Sequence, residues 1–498
     1  MGGESPGGRR RARTLRGALL VTLLGAVVPG AGYVWAGRRL GYLLAAATVA
    51  AQVVLLVRVT DLDALVALAV DPSRLTLVAA SVSVGLALWA FVVVTTYRMV
   101  RPVGMPRHRR VAGGVLVSAL CLVVAVPTVQ AVRYADTQAD LVESVFEDNR
   151  TATVPRDVTP VDPWGGRRNV GVLLVGGDSG PNRDGTRTDT MALLDVDTRT
   201  GESVLFSLPR NMMNAQFPLD SPLHALYPEG FGGDGDPAAW MLNAVYGQVP
   251  ILHPGVLGGS DNEGADALKQ AVAGTLGTRV DYYVLVDLQG FPQLVDAIGG
   301  VTVNINEPVA IGGITDLGVP PQGWLEPGPD QHLDGFHAMW FARGRYGSDD
   351  YARMLRQRCL IDALIAEADP FNLLRRYQDL AAAGKQLVQT DIPQELLPAF
   401  VDLAQKVKQR KTRSVAFVAS DRFFSGDPDF EWMQSVVDRA LDPPVATAPA
   451  EEPEPADGGT TTEDTEAVDG VTESDESEAD DPGAAVTVAD TCGYVPNA

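Results

Sequence analysis

Arginine and aspartate recur in four short motifs of this 498-residue chain. They are Gly176-Gly177-Asp178-Ser179, Arg187-Thr188-Asp189-Thr190-Met191, Ser207-Leu208-Pro209-Arg210-Asn211, and Arg343-Gly344-Arg345 running on to Asp350, Arg353 and Gln357. Each borders an apolar run, where a regular element hands over to a loop. A guanidinium matches phosphate oxygens two at a time and keeps its charge. An aspartate offers hard oxygens to a divalent cation such as Mg²⁺. Together these residue types suit a pyrophosphate, or a similar polyanion, held with a metal. Arg187 and Asp189 flank Thr188, so an extended segment turns both to one side, toward Asp178. Asp350, Arg353 and Gln357 stand at i, i+3 and i+7, one face of a helix. For any one of these residues a turn cap, a surface ion pair or a solvated stripe is the plainer reading. The convergence of four motifs at strand and helix ends carries the functional one.

The elements that must position them follow from the apolar pattern. Val170–Val175, Met191–Val196, Ser203–Leu208, Tyr282–Val286, Val301–Ile305 and Val415–Ala419 read as strands. Ala265–Leu276, Leu288–Ile298, Gly335–Phe341, Asp350–Ala368, Phe371–Val388, Pro393–Lys408 and Phe430–Leu441 read as helices. This alternation predicts an α/β fold, an α-β-α sandwich around a central mixed sheet. Sites in such sheets form at strand ends.

Before this domain, residues 1–135 predict an all-α membrane module. Leu40–Val57, Leu75–Tyr97 and Val111–Val132 approach the roughly 20 apolar residues that a bilayer requires. Leu15–Ala36 is broken by Pro29-Gly30 and reads as a re-entrant or interfacial hairpin, giving three spans; four spans with an external N-terminus is the competing reading. Arg98, Arg101, Arg107, Arg109 and Arg110 place the loop before the last span in the cytoplasm. The expectation is a multi-pass cell-membrane protein whose large domain is extracytoplasmic. No intramembrane carboxylate, Lys or His chain supports transport. Residues 136–164 read as a linker, 165–442 as the exported domain and 443–498 as an acidic, largely disordered tail.

The net charge is −22, and 15 acidic residues with no Lys or Arg lie between Pro443 and Ala498. This balance argues against nucleic acid as a partner. The five histidines show no metal spacing, no Gly-x-Ser-x-Gly appears, and the glycine-rich loops lack the Lys-Ser/Thr ending of a P-loop. Cys359 and Cys492 leave a disulfide open in an exported domain; two unrelated free thiols is the reading preferred here.

At this point the motifs resemble those of the LytR-CpsA-Psr family of cell-envelope phosphotransferases. The likeness runs from Asn169 to Val388 and more weakly to Leu441. It adds Leu242-Asn243-Ala244-Val245-Tyr246, Val280–Val284, Val295–Val301 and Leu333-Asp334-Gly335 to the four motifs. The resemblance implies transfer of a glycosyl phosphate from a polyprenyl-pyrophosphate-linked glycopolymer to peptidoglycan, with the lipid tail in an apolar pocket beside the sheet. It implies Mg²⁺, or Mn²⁺, on Asp178 and Asp189. Arg210, Arg343, Arg345, Arg353 and Gln357 would bind the pyrophosphate, and Asp189, Arg187 and Asp350 would be catalytic. The partners would be the glycopolymer, the peptidoglycan acceptor and the lipid bilayer. Two departures stand out: Met241 precedes the Leu-Asn-Ala motif where a basic residue is common, and Arg356-Gln357-Arg358 replaces an Arg-Gln-Gln triplet. A polyprenyl-pyrophosphate phosphatase and a non-catalytic precursor-binding protein are the alternatives, separated by products formed with and without an acceptor.

Overall fold

The computed structural model describes residues 10–59, 68, 71–145, 151–178, 187–288, 290–367, 388–442 and 483–495. It divides into two units, Met1–Ser144 and Val145–Ala498.

The first unit is helical: α1 (Leu15–Val27), α2 (Ala31–Trp35), α3 (Leu40–Val59), α4 (Pro72–Val100) and α5 (Arg107–Val145). Thr14 caps α1 by accepting from Gly17 N at 3.1 Å. Pro29 ends that helix, and Gly30, at φ 107°, turns the chain. α1 runs against α4: Ala12 N donates to Val100 O at 2.9 Å, and Trp89 Nε1 donates to Ala26 O at 2.8 Å. After the turn the chain comes back, because Tyr33 Oη pairs with Thr95 Oγ1 at 2.6 Å and a Cβ on Gly32 would stand 2.3 Å from Thr96. Leu15–Trp35 is therefore a hairpin that reverses partway along α4. Two helices are long and apolar enough to cross a membrane, Pro72–Val100 and Arg107–Asp140. The third expected span, Leu40–Val57, lies within α3, which is 20 residues long and whose side chains are described only to Val54.

The second unit carries a seven-stranded sheet. Its strands are β1 (Asn169–Asp178), β2 (Arg187–Asp197), β3 (Ser203–Leu208), β4 (Tyr282–Asp287), β9 (Val388–Thr390), β10 (Arg413–Ala416) and β11 (Val486–Thr487), in the order β11-β10-β3-β2-β1-β4-β9. β1 pairs parallel to β4 and β3 parallel to β10, while β2 is antiparallel to both neighbours. The sheet is mixed, as expected. The C-terminal ends of β1, β3 and β4 and the start of β2 meet at one end, where all the Arg/Asp motifs of this region lie. The helices are α6 (Pro222–Leu226), α7 (Val245–Leu252), α8 (Glu263–Leu276), α9 (Phe291–Ile298), α10 (Gly335–Arg343), α11 (Asp350–Glu367), α12 (Leu397–Lys408), α13 (Phe430–Leu441) and α14 (Val488–Thr491). β5 (Val301–Ile305) pairs with β8 (Gly328–Leu333), and β6 (Val309–Ile311) with β7 (Gly323–Leu325). The expected helix Phe371–Val388 lies almost wholly outside the described residues.

The two faces of the sheet differ. Leu173, Val175, Leu193, Phe206, Tyr283 and Leu285 are buried in one core with α7, α8 and α13. On the other face Leu174, Leu194, Val284 and Val286 are only half-buried. Leu174 pairs with Val284, so this half-open apolar strip is continuous.

Below the sheet, Lys269 and Asp391 form a fully buried pair at 2.6 Å, with Lys269 Nζ also on Asp281 O and Asp391 accepting from Tyr283 N, each at 2.7 Å. Removing one member strands the other charge. Lys269→Ala is expected to lower stability by about 3–5 kcal/mol, and Lys269→Met with Asp391→Leu to restore most of it; denaturant titration of the three proteins checks this. Burial pushes the Asp195 carboxyl up to about 6, outweighing its bond from Asn169, with Asp281 and Asp197 adding repulsion. An acid whose folded pKa is raised holds a proton that the unfolded chain releases. Its contribution is complete below pH 4 and lost as pH rises to 6, by roughly 3 kcal/mol. Asp195→Asn is expected to flatten that decline in melts from pH 4 to 7.

The tail is attached at its far end. β11 adds to β10, Cys492 is disulfide-bonded to Cys359 on α11, and Asn304 and Asn306 donate to Cys492 O and Gly493 O at 2.9 and 3.0 Å. The expectation of two free thiols is thus overturned: tertiary proximity, invisible in a separation of 133 residues, brings them together.

Candidate functional site

The strand ends shape the site through an irregularity. Gly176 pairs with Thr190 and Gly177 with Thr188, so β2 advances two residues while β1 advances one. Asp189 is the extra residue of a β-bulge, which re-aims a side chain and breaks simple alternation. Thr188 is buried while Asp189 is partly exposed. Asp178 and Arg187 are register partners across the strands. Their backbones place both at the site; their side chains lie outside the described ones.

Arg210 leaves β3 after Pro209. Its carbonyl accepts from Asn243 N at 3.0 Å, and Met212 O accepts from Leu242 N at 2.8 Å. The Leu242–Tyr246 motif therefore braces the segment that presents Arg210.

The cluster closes on α11. Asp349 caps that helix, accepting from Ala352 N at 2.7 Å. Asp350, in the first turn, meets Arg353 Nη2 at 3.0 Å, Arg210 Nε at 3.5 Å and Arg345 Nη1 at 3.6 Å. Arg210 Nη1 also meets Asp189 Oδ1 at 2.5 Å. Five of the expected residues are thus one ion-pair network, with three guanidiniums against two carboxylates. Asp350 is its hub. Arg353 is buried, and burial depresses its pKa to about 10 although Asp350 opposes the shift; it stays charged at neutral pH. The Nε atoms of Arg210 and Arg353 are buried without a hydrogen-bond partner. Surplus positive charge and unmatched donors suit an incoming anion.

Arg343 and Gln357 stand differently. The Arg343 guanidinium lies 6.0 Å from the Trp340 ring centre, and Gln357 Nε2 donates to Ala342 O at 3.2 Å. Arg356 of α11 also serves this corner. It donates from Nε to Phe341 O at 2.8 Å and from Nη2 to Gly344 O. It thereby caps the last carbonyls of α10 and fixes the turn that carries Arg343 and Arg345.

No group of three or more His, Cys, Asp or Glu stands together as a metal cage among the described residues. Mg²⁺ is commonly held by one or two carboxylates plus substrate phosphates. Asp189, with Asp178 nearby in register, is compatible with that sparse mode.

Residues 132–427 match the LytR_cpsA_psr family. The chain belongs to this family. Among its relatives is the polyisoprenyl-teichoic acid–peptidoglycan teichoic acid transferase TagU of Oceanobacillus iheyensis, 31% identical over 232 residues, which are 46% of this chain and 60% of the relative. Biofilm regulatory protein A of Streptococcus mutans is 24% identical over 257 residues, 48% of this chain and 55% of that one. The chain thus spans about three fifths of the length of such curated relatives. The crystal structure of Bacillus subtilis TagV aligns at 21% identity with a TM-score of 0.39, over 55% of this chain and 98% of that one. The LytR_cpsA_psr match contains every motif that builds the ion-pair network, from Asp178 to Gln357.

Proposed function

We propose that this chain transfers a glycosyl phosphate from a polyprenyl-pyrophosphate-linked glycopolymer to peptidoglycan, on the outer face of the membrane that α4 and α5 cross. One juxtaposition carries the reading. The cationic network sits at the end of the sheet whose second face is a half-open apolar strip. A diphosphate joined to a long hydrocarbon needs both, in that order. The family and the activity named for its TagU relative support the same class.

In this reading Arg210, Arg345 and Arg353 hold the pyrophosphate, with Arg187 and Arg343 as further cations. An acceptor oxygen bonds to the phosphorus next to the sugar. The bridging P–O bond breaks, and polyprenyl phosphate leaves with the bridging oxygen. Phosphoryl transfer depends chiefly on position and on neutralising charge, which the fixed guanidiniums supply without reorganising. Asp350 positions them. Asp189 Oδ2 accepts the acceptor's proton. Mg²⁺, or Mn²⁺ in its place, would be held by Asp178 and Asp189 and would neutralise phosphate oxygens.

The test incubates the full chain with a short polyprenyl-pyrophosphate glycan and peptidoglycan fragments, with products read by mass spectrometry. A glycan-phosphate-peptidoglycan adduct is expected, lowered about 10²–10³-fold by Arg345→Ala and lost in Asp189→Asn. Glycosyl phosphate formed equally without acceptor would mean a phosphatase. Tight lipid binding indifferent to metal and to Asp189→Asn, with no product, would mean a binding protein.

A further inference from the structure

We infer that the groove between α1 and α5 binds an anionic phospholipid of the cytoplasmic leaflet, acyl chain in the groove and headgroup phosphate at Arg16. The inference rests on the membrane placement proposed above but not on the transferase reading.

The groove is about 470 Å³ and is lined by Leu19, Leu20 and Leu23 of α1 and Leu116, Val117 and Leu120 of α5. Arg16 is the one charged residue on its wall. α1 and α5 run in the same direction: α1 is antiparallel to α4, the end of α4 meets the start of α5 where Tyr97 Oη donates to Arg110 O at 3.5 Å, and Leu15 lies against Gly113. Arg16 is therefore at the end where α5 begins with Arg107, Arg109 and Arg110, and where Arg13 precedes α1. α4 ends at this level too, through the Ala12–Val100 bond, and brings Arg98 and Arg101. Between residues 10 and 60, and between 74 and 135, the chain has no Asp or Glu. Arg16 is exposed and has no ion-pair partner among the described residues.

A basic rim of this kind faces the cytoplasm. There the anionic lipids of that leaflet are its natural counterions, each near-surface arginine contributing about 1 kcal/mol. The leucine wall gives that attraction a defined place. A zwitterionic lipid would fill the same groove but gain less from Arg16, and a soluble anion would gain nothing from the leucines.

The experiment places the full chain in nanodiscs of phosphatidylcholine with a minor share of phosphatidylglycerol. After stepwise delipidation, retained lipid is measured by mass spectrometry. Phosphatidylglycerol should be retained preferentially. Arg16→Gln should lower its preference about fivefold, the equivalent of ~1 kcal/mol. Leu20→Trp, which fills the groove and leaves the charge, should lower retention of both lipids. Equal retention of the two lipids by the unaltered chain would overturn the proposal, as would both variants behaving like it. A chain that washes off membranes in alkaline carbonate would instead overturn the membrane placement. Glycan transfer by Arg16→Gln should match that of the unaltered chain, which keeps the two readings separate.

Discussion

Asp350→Ala is expected to lower the melting temperature by roughly 6–10 °C, the result of losing about 3–5 kcal/mol. The carboxylate is shared by Arg353, Arg210 and Arg345. Arg353 is the costly one, because its side chain is 4% exposed and Asp350 is its one ion-pair carboxylate among the described residues. Without Asp350 that guanidinium is buried and unmatched, and three like charges crowd one end of the sheet. The same physics predicts a rescue. An anion that enters the network replaces the lost carboxylate, so inorganic pyrophosphate should raise the melting temperature of Asp350→Ala more than that of the unaltered chain. At a concentration 100 times its dissociation constant, such a ligand contributes about 2.7 kcal/mol. Asp350→Asn keeps the shape and removes the charge, so it should fall between the two. Differential scanning calorimetry with and without pyrophosphate checks the set. Equal melting of Asp350→Ala and the unaltered chain would sink the idea of Asp350 as hub; equal pyrophosphate shifts would sink the anion-site reading.

The parts of this network that were legible in the sequence are those set by local chemistry. Arg210 and Asp350 were placed because an apolar strand of six residues and a polar helical face are periodic patterns. Ser203–Leu208, Val301–Ile305 and Phe430–Leu441 have the boundaries that the sequence suggests, since turn residues or caps flank them. What escaped was non-local. The bulge at Asp189 exists only in the pairing of β1 with β2. The strands β6 and β7, three residues each, sit in a Pro- and Gly-rich stretch with no period-2 signal. Arg356 looked like another basic residue on a helix, and its role depends on where the carbonyls of α10 end. The hairpin before Arg38 could be anticipated because Pro29-Gly30 cannot continue a helix.

Cys492→Ser should produce a loss nearly as large, through a different route. The Cys359–Cys492 bond closes a loop of 133 residues. In the chain-entropy account, a crosslink of that span stabilises by about 5 kcal/mol, and measured removals cost 2–5 kcal/mol. Its location matters as much as its size. Cys359 lies on α11, the helix that carries Asp350 and Arg353, while Cys492 follows β11 on the outermost strand of the sheet. The bond therefore ties the arginine-bearing helix to the edge farthest from β9. β11 is two residues long and, among the described residues, pairs only with β10, too little to hold by itself. Once the bond is absent, β11 and α14 are expected to release together, and Asn304 and Asn306 lose the carbonyls they cap. A reductant should bring the unaltered chain to the melting temperature of Cys492→Ser and leave that variant unmoved. Hydrogen exchange should quicken at Val486–Thr491 first and along α11 next, with Ser203–Leu208 unchanged. If reductant shifts the variant as much as the unaltered chain, or if α11 exchanges as before, then the tail is only an appendage and the helix is held by its own packing against β5 and α10.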